Sequence, residues 1–269
     1  MREMNDEEDY KLIKLAYDYK NRNKGAKQIK MVLLNDYGVL MNLKKIRRLM
    51  KKYYLFCPFR RANLYKRMIK AMKTSSYASN HLNRNFNIQI PGRFLLTDIT
   101  YIFYGKERKI CYCSTVKDTA THEILAYEIS QSLNIDFVLN TINQLKKYKH
   151  IDLSRMMINS DQGAHYTSYR YIELLNNLNI TRSMSRRGNC WDNAPQESFF
   201  GHMKDELNLK ECDSYEDVCN ELNEYFDYYN NDRYQRNLNK MPLIQYRNHL
   251  FSQSSTELIL YNKNKLPVI

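Results

Sequence analysis

The chain has 269 residues, enough for one large domain and a smaller one, and its hydrophobic share of 43% argues against wholesale disorder. It contains no run of about 18 apolar residues and no apolar signal-peptide core near Met1, so we expect a cytoplasmic protein without a membrane span. The net charge of +13 is concentrated, because the segment from Tyr37 to Thr97 holds 14 basic residues and no acidic one. That segment indicates a polyanionic partner, nucleic acid above all.

Three short helices are predicted for the N-terminal segment, over residues 7–20, 25–35 and 43–53. In the first, Leu12, Leu15 and Tyr19 have the spacing of an inward face. In the second, Ile29 and Val32 are expected to point inward, and Gly38 suits the chain reversal that follows.

The third predicted helix has one apolar face and one basic face, with Asn42 as a plausible N-cap. Its basic face holds Lys44, Lys45, Arg47, Arg48, Lys51 and Lys52. Three short helices with a basic third one resemble a helix-turn-helix module in which these cations bind DNA. The alternative is a small helical bundle with a solvated basic face. We favour DNA binding because the acid-free segment leads directly into this helix.

Residues 57–87 are predicted to be a basic connector without clear periodicity. Three strands are expected next, in the segments FLLTDITYIFY, ERKICYCSTVKD and EILAYEIS. The remaining elements are expected to be a helix over 135–149, a strand RMMINSD, a helix over 168–178, a strand TRSMS, and helices over 193–207, 214–230 and 242–250. This order predicts an α/β core with a mixed sheet.

Three acids lie within or at the ends of these predicted elements. Asp98 lies inside the first strand, Asp161 ends a later strand, and Glu197 lies in the first turn of a helix. An acid inside an apolar strand is costly unless it is paired or binds a metal. Converging carboxylates suit hard cations such as Mg²⁺, and two such ions can support in-line phosphoryl transfer. Spacing alone is weak evidence in a chain with 29 acids.

The sequences around the acids are more specific. TDITYI, SDQGAHYTS and SRRGNCWDNAPQESFFGHMKDE closely resemble the catalytic motifs of bacterial insertion-sequence transposases, specifically the second-frame product OrfB. The likeness extends over most of the chain, including YYNNDRYQRNLNKMPLIQYR near the C-terminus. It implies a ribonuclease-H-like mixed-sheet core flanked by helices, like that of retroviral integrases, behind a small all-α helix-turn-helix domain.

The resemblance also implies roles for single residues. Asp98, Asp161 and Glu197 match the acids that bind two Mg²⁺ or Mn²⁺ ions. Lys204, two turns after Glu197 on one helix face, matches a basic residue that contacts DNA, although a solvated lysine is an equal alternative. Arg186 and Arg187, in the loop before Glu197, suit contacts with the cleaved strand, with a solvated loop as the alternative. The family often has His at the position of Asn159, which puts local packing in doubt.

The expected reaction is metal-dependent cleavage at the ends of an insertion element, followed by transfer of the freed 3′-OH to target DNA. Expected partners are the terminal inverted repeats, target DNA, further copies of the chain, and an upstream-frame OrfA protein or fusion, at the bacterial nucleoid. The expected domains are residues 1–56 (helix-turn-helix), 57–87 (connector), 88–252 (catalytic core with C-terminal helices) and 253–269 (tail). A non-catalytic DNA-binding OrfB and a hybrid-strand ribonuclease are the alternatives.

Overall fold

A computed structural model describes residues 2–22, 24–57, 90–148, 152–185 and 194–263. The chain divides into two compact units, residues 1–78 and 79–269. The first unit contains helices α1 (Arg2–Tyr17), α2 (Ala26–Asn35) and α3 (Leu43–Lys52). None of the helices in the described ranges is long and apolar enough to cross a membrane.

The start and the core of α3 agree with the sequence. The Asn42 side chain caps the helix by accepting a hydrogen bond from the Lys44 amide at 2.8 Å. Ile46 and Leu49 are fully buried, and Gly38 has a φ of +65° in the turn before them. Glycine suits that turn because it adopts positive φ without a steric penalty.

The inward face of α1 differs from the prediction. Ile13 and Ala16 are fully buried whereas Leu15 is 54% exposed, so the face predicted from Leu12, Leu15 and Tyr19 is wrong. Five of the six positions from 12 to 17 are apolar, and their spacing allows more than one inward stripe. Packing against α2 and α3 selects the stripe one residue away from the predicted one.

The second unit contains the predicted mixed sheet. Its strands are β1 (Phe94–Tyr104), β2 (Lys109–Asp118), β3 (Ile124–Ser130), β4 (Met157–Ser160) and β5 (Thr181–Met184). Their order across the sheet is β3-β2-β1-β4-β5. Strands β1, β2 and β3 pair antiparallel, whereas β4 and β5 continue from β1 in parallel.

Helices cover both faces of this sheet. They are α4 (Ile135–Asn143), α5 (Ala164–Thr167), α6 (Tyr169–Asn177), α7 (Ala194–Glu206), α8 (Tyr215–Asn231) and α9 (Leu243–Lys263). One apolar cluster joins Leu95, Val116 and Ile158 of the sheet to side chains of α4 and α6. The other cluster joins Ile102, Cys111 and Cys113 to side chains of α7, α8 and α9. Alternation along β1 therefore directs even-numbered residues toward α7 and odd-numbered residues toward α4.

Helix α1 spans Arg2–Tyr17 and not residues 7–20, and two later helix ends also differ from the sequence-based bounds. The helix predicted over 135–149 is α-helical only to Asn143, and a 3-10 turn follows over Gln144–Lys147. The last helix continues to Lys263, past residue 250, where it was predicted to end, and through much of the segment predicted as a tail. No glycine or proline occurs between Leu243 and Lys263 to stop it.

Candidate active site at the edge of the sheet

Asp98 and Asp161 occupy matching positions on adjacent parallel strands. Asp98 lies within β1, and Asp161 directly follows β4. In the parallel register Leu96 is opposite Asn159, so each acid lies two residues beyond that pair. Neighbouring strands are about 4.8 Å apart. The two carboxyl groups therefore start side by side on the same face of the sheet, the face that α7 covers, at the carboxyl end of β4.

Local hydrogen bonds orient both carboxylates. Asp98 is half-buried, and its Oδ1 accepts a hydrogen bond from the Ile99 amide at 2.8 Å. Asp161 is exposed, and its Oδ1 accepts a hydrogen bond from the Gly163 amide at 2.8 Å. A Cβ atom at residue 163 would lie 2.9 Å from that same oxygen. Only glycine leaves the Asp161 carboxylate in its observed position.

Glu197 is exposed in the first turn of α7, and that turn is tied to β2. The buried Gln196 side chain donates a hydrogen bond from Nε2 to Thr115 Oγ1. The ammonium group of Lys117 donates to the Pro195 carbonyl at 3.0 Å. Thr115 is the strand partner of Asp98 in the antiparallel register. These contacts bring the turn that carries Glu197 beside the strand pair that carries Asp98.

The three acids do not form a ready-made cluster. Across the described residues, which include all three acids, no group of three or more His, Cys, Asp or Glu side chains is arranged to hold a metal ion. The sheet register thus relates Asp98 to Asp161, and contacts of neighbouring residues relate Glu197 to them indirectly. All three supply carboxylate oxygens, the donor type that Mg²⁺ and Mn²⁺ accept.

A buried tyrosine lies close to both strand acids. The Tyr166 hydroxyl is 3.5 Å from Thr97 Oγ1, and its ring packs edge-on against Tyr171 at a centroid distance of 5.3 Å. Burial raises the pKa of Tyr166 well above its usual value, and the negative charges of Asp98 and Asp161 raise it further. Tyr166 is therefore a neutral phenol at physiological pH.

A polar network continues the site toward β5. Asn159 is fully buried, donates to Ser185 Oγ at 2.9 Å and accepts from Ser183 Oγ at 3.0 Å. Gln162 donates to the Ser185 carbonyl at 3.1 Å, and the Ser185 amide donates to the Ser160 carbonyl at 2.8 Å. Asn159 therefore has a packing role, because its amide satisfies two serine hydroxyls inside the sheet.

The other residues predicted to bind DNA have mixed outcomes. Lys204 is exposed in the last turn of α7. Arg186 and Arg187 lie outside the described residues. In α3, three of the six predicted cations form ion pairs with acids of α1: Lys45 with Asp9, and both Arg48 and Lys52 with Asp6.

Sequence reasoning overlooked Lys117, Thr115 and Gln196, which hold the first turn of α7. A detectable signal was present for Lys117. It is a charged residue inside a strand whose alternate positions Cys111, Cys113 and Thr115 point inward, and buried charges require a specific partner. The same argument had identified Asp98. No comparable signal marks Gln196, because its partner is 81 residues away in sequence.

Comparisons with known proteins cover most of the chain. An HTH-like domain model matches residues 4–63, and two integrase core domain models match residues 89–190 and 178–242. A solved structure, the HTLV-2 integrase catalytic core domain in complex with magnesium, aligns with a TM-score of 0.46 and 17% identity, covering 59% of this chain and 97% of that one.

Two similar proteins extend over most of the length. A transposase-like protein of Haemophilus influenzae (strain ATCC 51907 / DSM 11121 / KW20 / Rd) is 32% identical over 217 residues, covering 78% of this chain and 94% of its own. InsK, assigned as the transposase of insertion sequence element IS150 in Escherichia coli (strain K12), is 32% identical over 241 residues, covering 87% of this chain and 81% of its own.

These matches confirm the predicted fold class, a ribonuclease-H-like mixed sheet preceded by a helix-turn-helix module. Similarity of this extent, over both the helical module and the sheet, goes beyond a shared core fold. The chain is a polynucleotidyl transferase of DNA transposition, and it belongs to the OrfB-type insertion-sequence transposases.

Proposed function

We propose that Asp98, Asp161 and Glu197 are the catalytic acids of a DDE transposase that cleaves the ends of its insertion element and transfers the 3′-OH ends to target DNA. The observation that carries the proposal is the parallel register of β1 and β4, in which Asp98 and Asp161 each lie two residues beyond the paired Leu96 and Asn159. Support for Glu197 comes from the contact of its neighbour Gln196 with Thr115, the strand partner of Asp98.

In this proposal the three carboxylates hold two divalent ions, Mg²⁺ or Mn²⁺. When bound, such ions supply activation of the attacking oxygen and stabilisation of the leaving oxygen in in-line phosphoryl transfer. Asp98 and Asp161 provide a fixed pair of oxygen donors, because each is oriented by a backbone amide. Glu197 completes the set from a separate element. In this scheme water attacks in cleavage and the DNA 3′-OH attacks in transfer.

The surrounding chain binds the DNA substrates in this scheme. We assign DNA binding to the helix-turn-helix module (1–56), to the basic connector (57–87), and to Lys204 beside the site. Arg186 and Arg187 are proposed to contact the strand being cut. The catalytic core spans 88–252 and is followed by the segment 253–269. The active species is a homo-oligomer on paired element ends at the nucleoid, acting with an upstream-frame OrfA protein or as its fusion.

The test is Glu197→Gln, which keeps the size and removes the charge of the side chain. We expect it to abolish joining of duplexes copied from the element's ends to a plasmid target, because one metal-binding carboxylate is lost. Binding of the same duplexes should persist. Glu173→Gln is the matched control, since Glu173 is an exposed acid on α6 outside the site. Mg²⁺-dependent joining by Glu197→Gln at the rate of this control would refute the assignment.

A further inference from the structure

The six cations of α3 fall into two stripes. Lys44, Arg47 and Lys51 share one face of the helix at i, i+3, i+7 spacing, and Lys45, Arg48 and Lys52 share the next. The two stripes are one residue apart, which turns them about 100° relative to each other around the helix axis. One helix therefore presents two sets of three positive charges in different directions.

The second stripe faces acids of α1. Asp6 is 5% exposed, and its two carboxylate oxygens accept hydrogen bonds from both terminal nitrogens of Arg48, at 2.8 and 2.5 Å. Lys52 donates to the same carboxylate at 3.1 Å, and Lys45 forms an ion pair with Asp9. Hydrogen bonds from Arg48 and Lys52 hold the pKa of Asp6 well below its usual range. The charges of Lys45, Arg48 and Lys52 are therefore paired with acids of the same module.

A phosphate would compete poorly for this second stripe. Binding Arg48 to DNA would break its two-pronged contact with Asp6 and leave that carboxylate with Lys52 as its remaining ion-pair partner. Stacking of the Tyr10 and Tyr53 rings, with centroids 4.0 Å apart, supports the same α1–α3 contact. The contact is thus structural in character.

The first stripe is differently placed. Lys44, Arg47 and Lys51 are exposed, as are Arg48 and Lys52, so ion pairing and not exposure separates the two stripes. None of the carboxylates in the described part of the chain lies within ion-pairing distance of Lys44, Arg47 or Lys51. Leu40 before the helix and Tyr54 after it are each 79% exposed. The apolar and aromatic side chains at its two ends are of the kinds that contact bases and sugars beside phosphates.

We propose that Lys44, Arg47 and Lys51 form the DNA-contacting stripe of α3, whereas Lys45, Arg48 and Lys52 form a structural clamp on α1. The proposal rests on the proposed DNA binding of the N-terminal module and divides its six cations by role. The first three cations determine the affinity for DNA and the salt dependence of that affinity. The second set sets the stability of the module.

Two triple variants of the full chain test this division. Lys44→Ala, Arg47→Ala and Lys51→Ala remove the DNA stripe, and Lys45→Ala, Arg48→Ala and Lys52→Ala remove the clamp. Each triple variant loses three positive charges, so effects of net charge alone are matched. The probe is a labelled duplex of random sequence, about 30 base pairs long, titrated at several salt concentrations.

We expect loss of the stripe to reduce the steepness of the slope of log K against log salt concentration by about 2.7, because each of the three lost phosphate contacts contributes about 0.9 to that slope. Loss of the clamp should change that slope by less than the contribution of one phosphate contact, and it should lower the thermal stability of the module. Asp6→Asn, which keeps all six cations, should lower the thermal stability of the module. It should not reduce the contribution of Lys44, Arg47 and Lys51 to the salt dependence of binding.

Three results would overturn the division. Equal flattening by both triple variants would show that only total charge matters, and greater flattening by the clamp variant would reverse the roles. An unchanged slope in both variants, with wild-type binding intact, would mean that α3 does not meet DNA, so the premise itself would fail. The stripe variant alone decides the question if the clamp variant does not fold.

Discussion

Replacing Lys117 with methionine isolates the charge of a lysine buried beside the site. Lys117 is 4% exposed, its ammonium donates to the Pro195 carbonyl at 3.0 Å, and it lies 5.5 Å from the centroid of the Phe199 ring. Burial lowers its pKa to about 7, and the positive charge of Arg233 contributes in the same direction. Methionine is likewise unbranched, is one atom shorter and cannot be protonated.

The sign and size of the effect follow from linkage. Between the folded pKa of about 7 and an unfolded value of about 10.4, the unfolded chain binds more protons, so the free energy of unfolding rises with pH. One pKa unit corresponds to about 1.4 kcal/mol, which gives roughly 4–5 kcal/mol over the whole window. Near pH 10 the neutral amine keeps its hydrogen bond to Pro195, a contribution of about 1 kcal/mol.

We therefore expect the two stability profiles to converge as the pH rises. Lys117→Met should be the more stable protein at pH 7, and the two proteins should be about equally stable near pH 10. The assay is urea unfolding of the sheet unit, followed by circular dichroism at several pH values between 7 and 10. Lys109→Met is the control, because Lys109 lies on the same strand with an exposed side chain and should parallel the wild type. Parallel profiles for Lys117→Met would refute the reasoning, since they would mean that folding does not change the proton affinity of the amine.

Two other substitutions probe the site and its support. Gly163→Ala should reduce strand transfer at least tenfold with a small effect on stability, because the new Cβ would lie 2.9 Å from the Asp161 carboxylate. The control is Gly201→Ala, whose new Cβ meets nothing within 4 Å and which should retain strand transfer. Equal activity of the two variants would contradict the argument. Glu206→Ala should lower the free energy of unfolding by about 3–5 kcal/mol in thermal or urea unfolding, because it leaves the buried Arg233 guanidinium without the carboxylate that it contacts at 2.7 Å. A loss below about 1 kcal/mol would show that Arg233 is solvated.

The sequence predicted the core well because its signals are local. Alternation along β1, β2 and β3 and the apolar strand ending at Ser160 need no knowledge of the partner strand. The same local signal exposed Asp98 as an acid in an unfavourable place. Local signals could not predict that β1 pairs with β4, because their paired residues are more than 60 residues apart in the chain. The side-by-side placement of Asp98 and Asp161 depends on that pairing.

The N-terminal module shows the opposite case. Its helices were predicted, but the inward face of α1 was wrong, because the run from Leu12 to Tyr17 offers more than one apolar stripe. The basic face of α3 was predicted as uniform. Only the position of α1 reveals that Asp6, 42 residues before Arg48, divides that face in two. Charge composition indicated a partner for the module, and tertiary structure determines which cations are available to it.

The attachment of α7 to the sheet bears on when the site is complete. Its first turn is held by polar contacts of Gln196 and Lys117, whereas its middle is anchored by the buried Phe199 and Met203. Helix ends open at a lower free energy than packed middles, so the turn that carries Glu197 can detach while the sheet stays folded. Under the proposed role of Glu197, only molecules with this turn docked would be competent for strand transfer, and a DNA end that binds the docked form would raise their population.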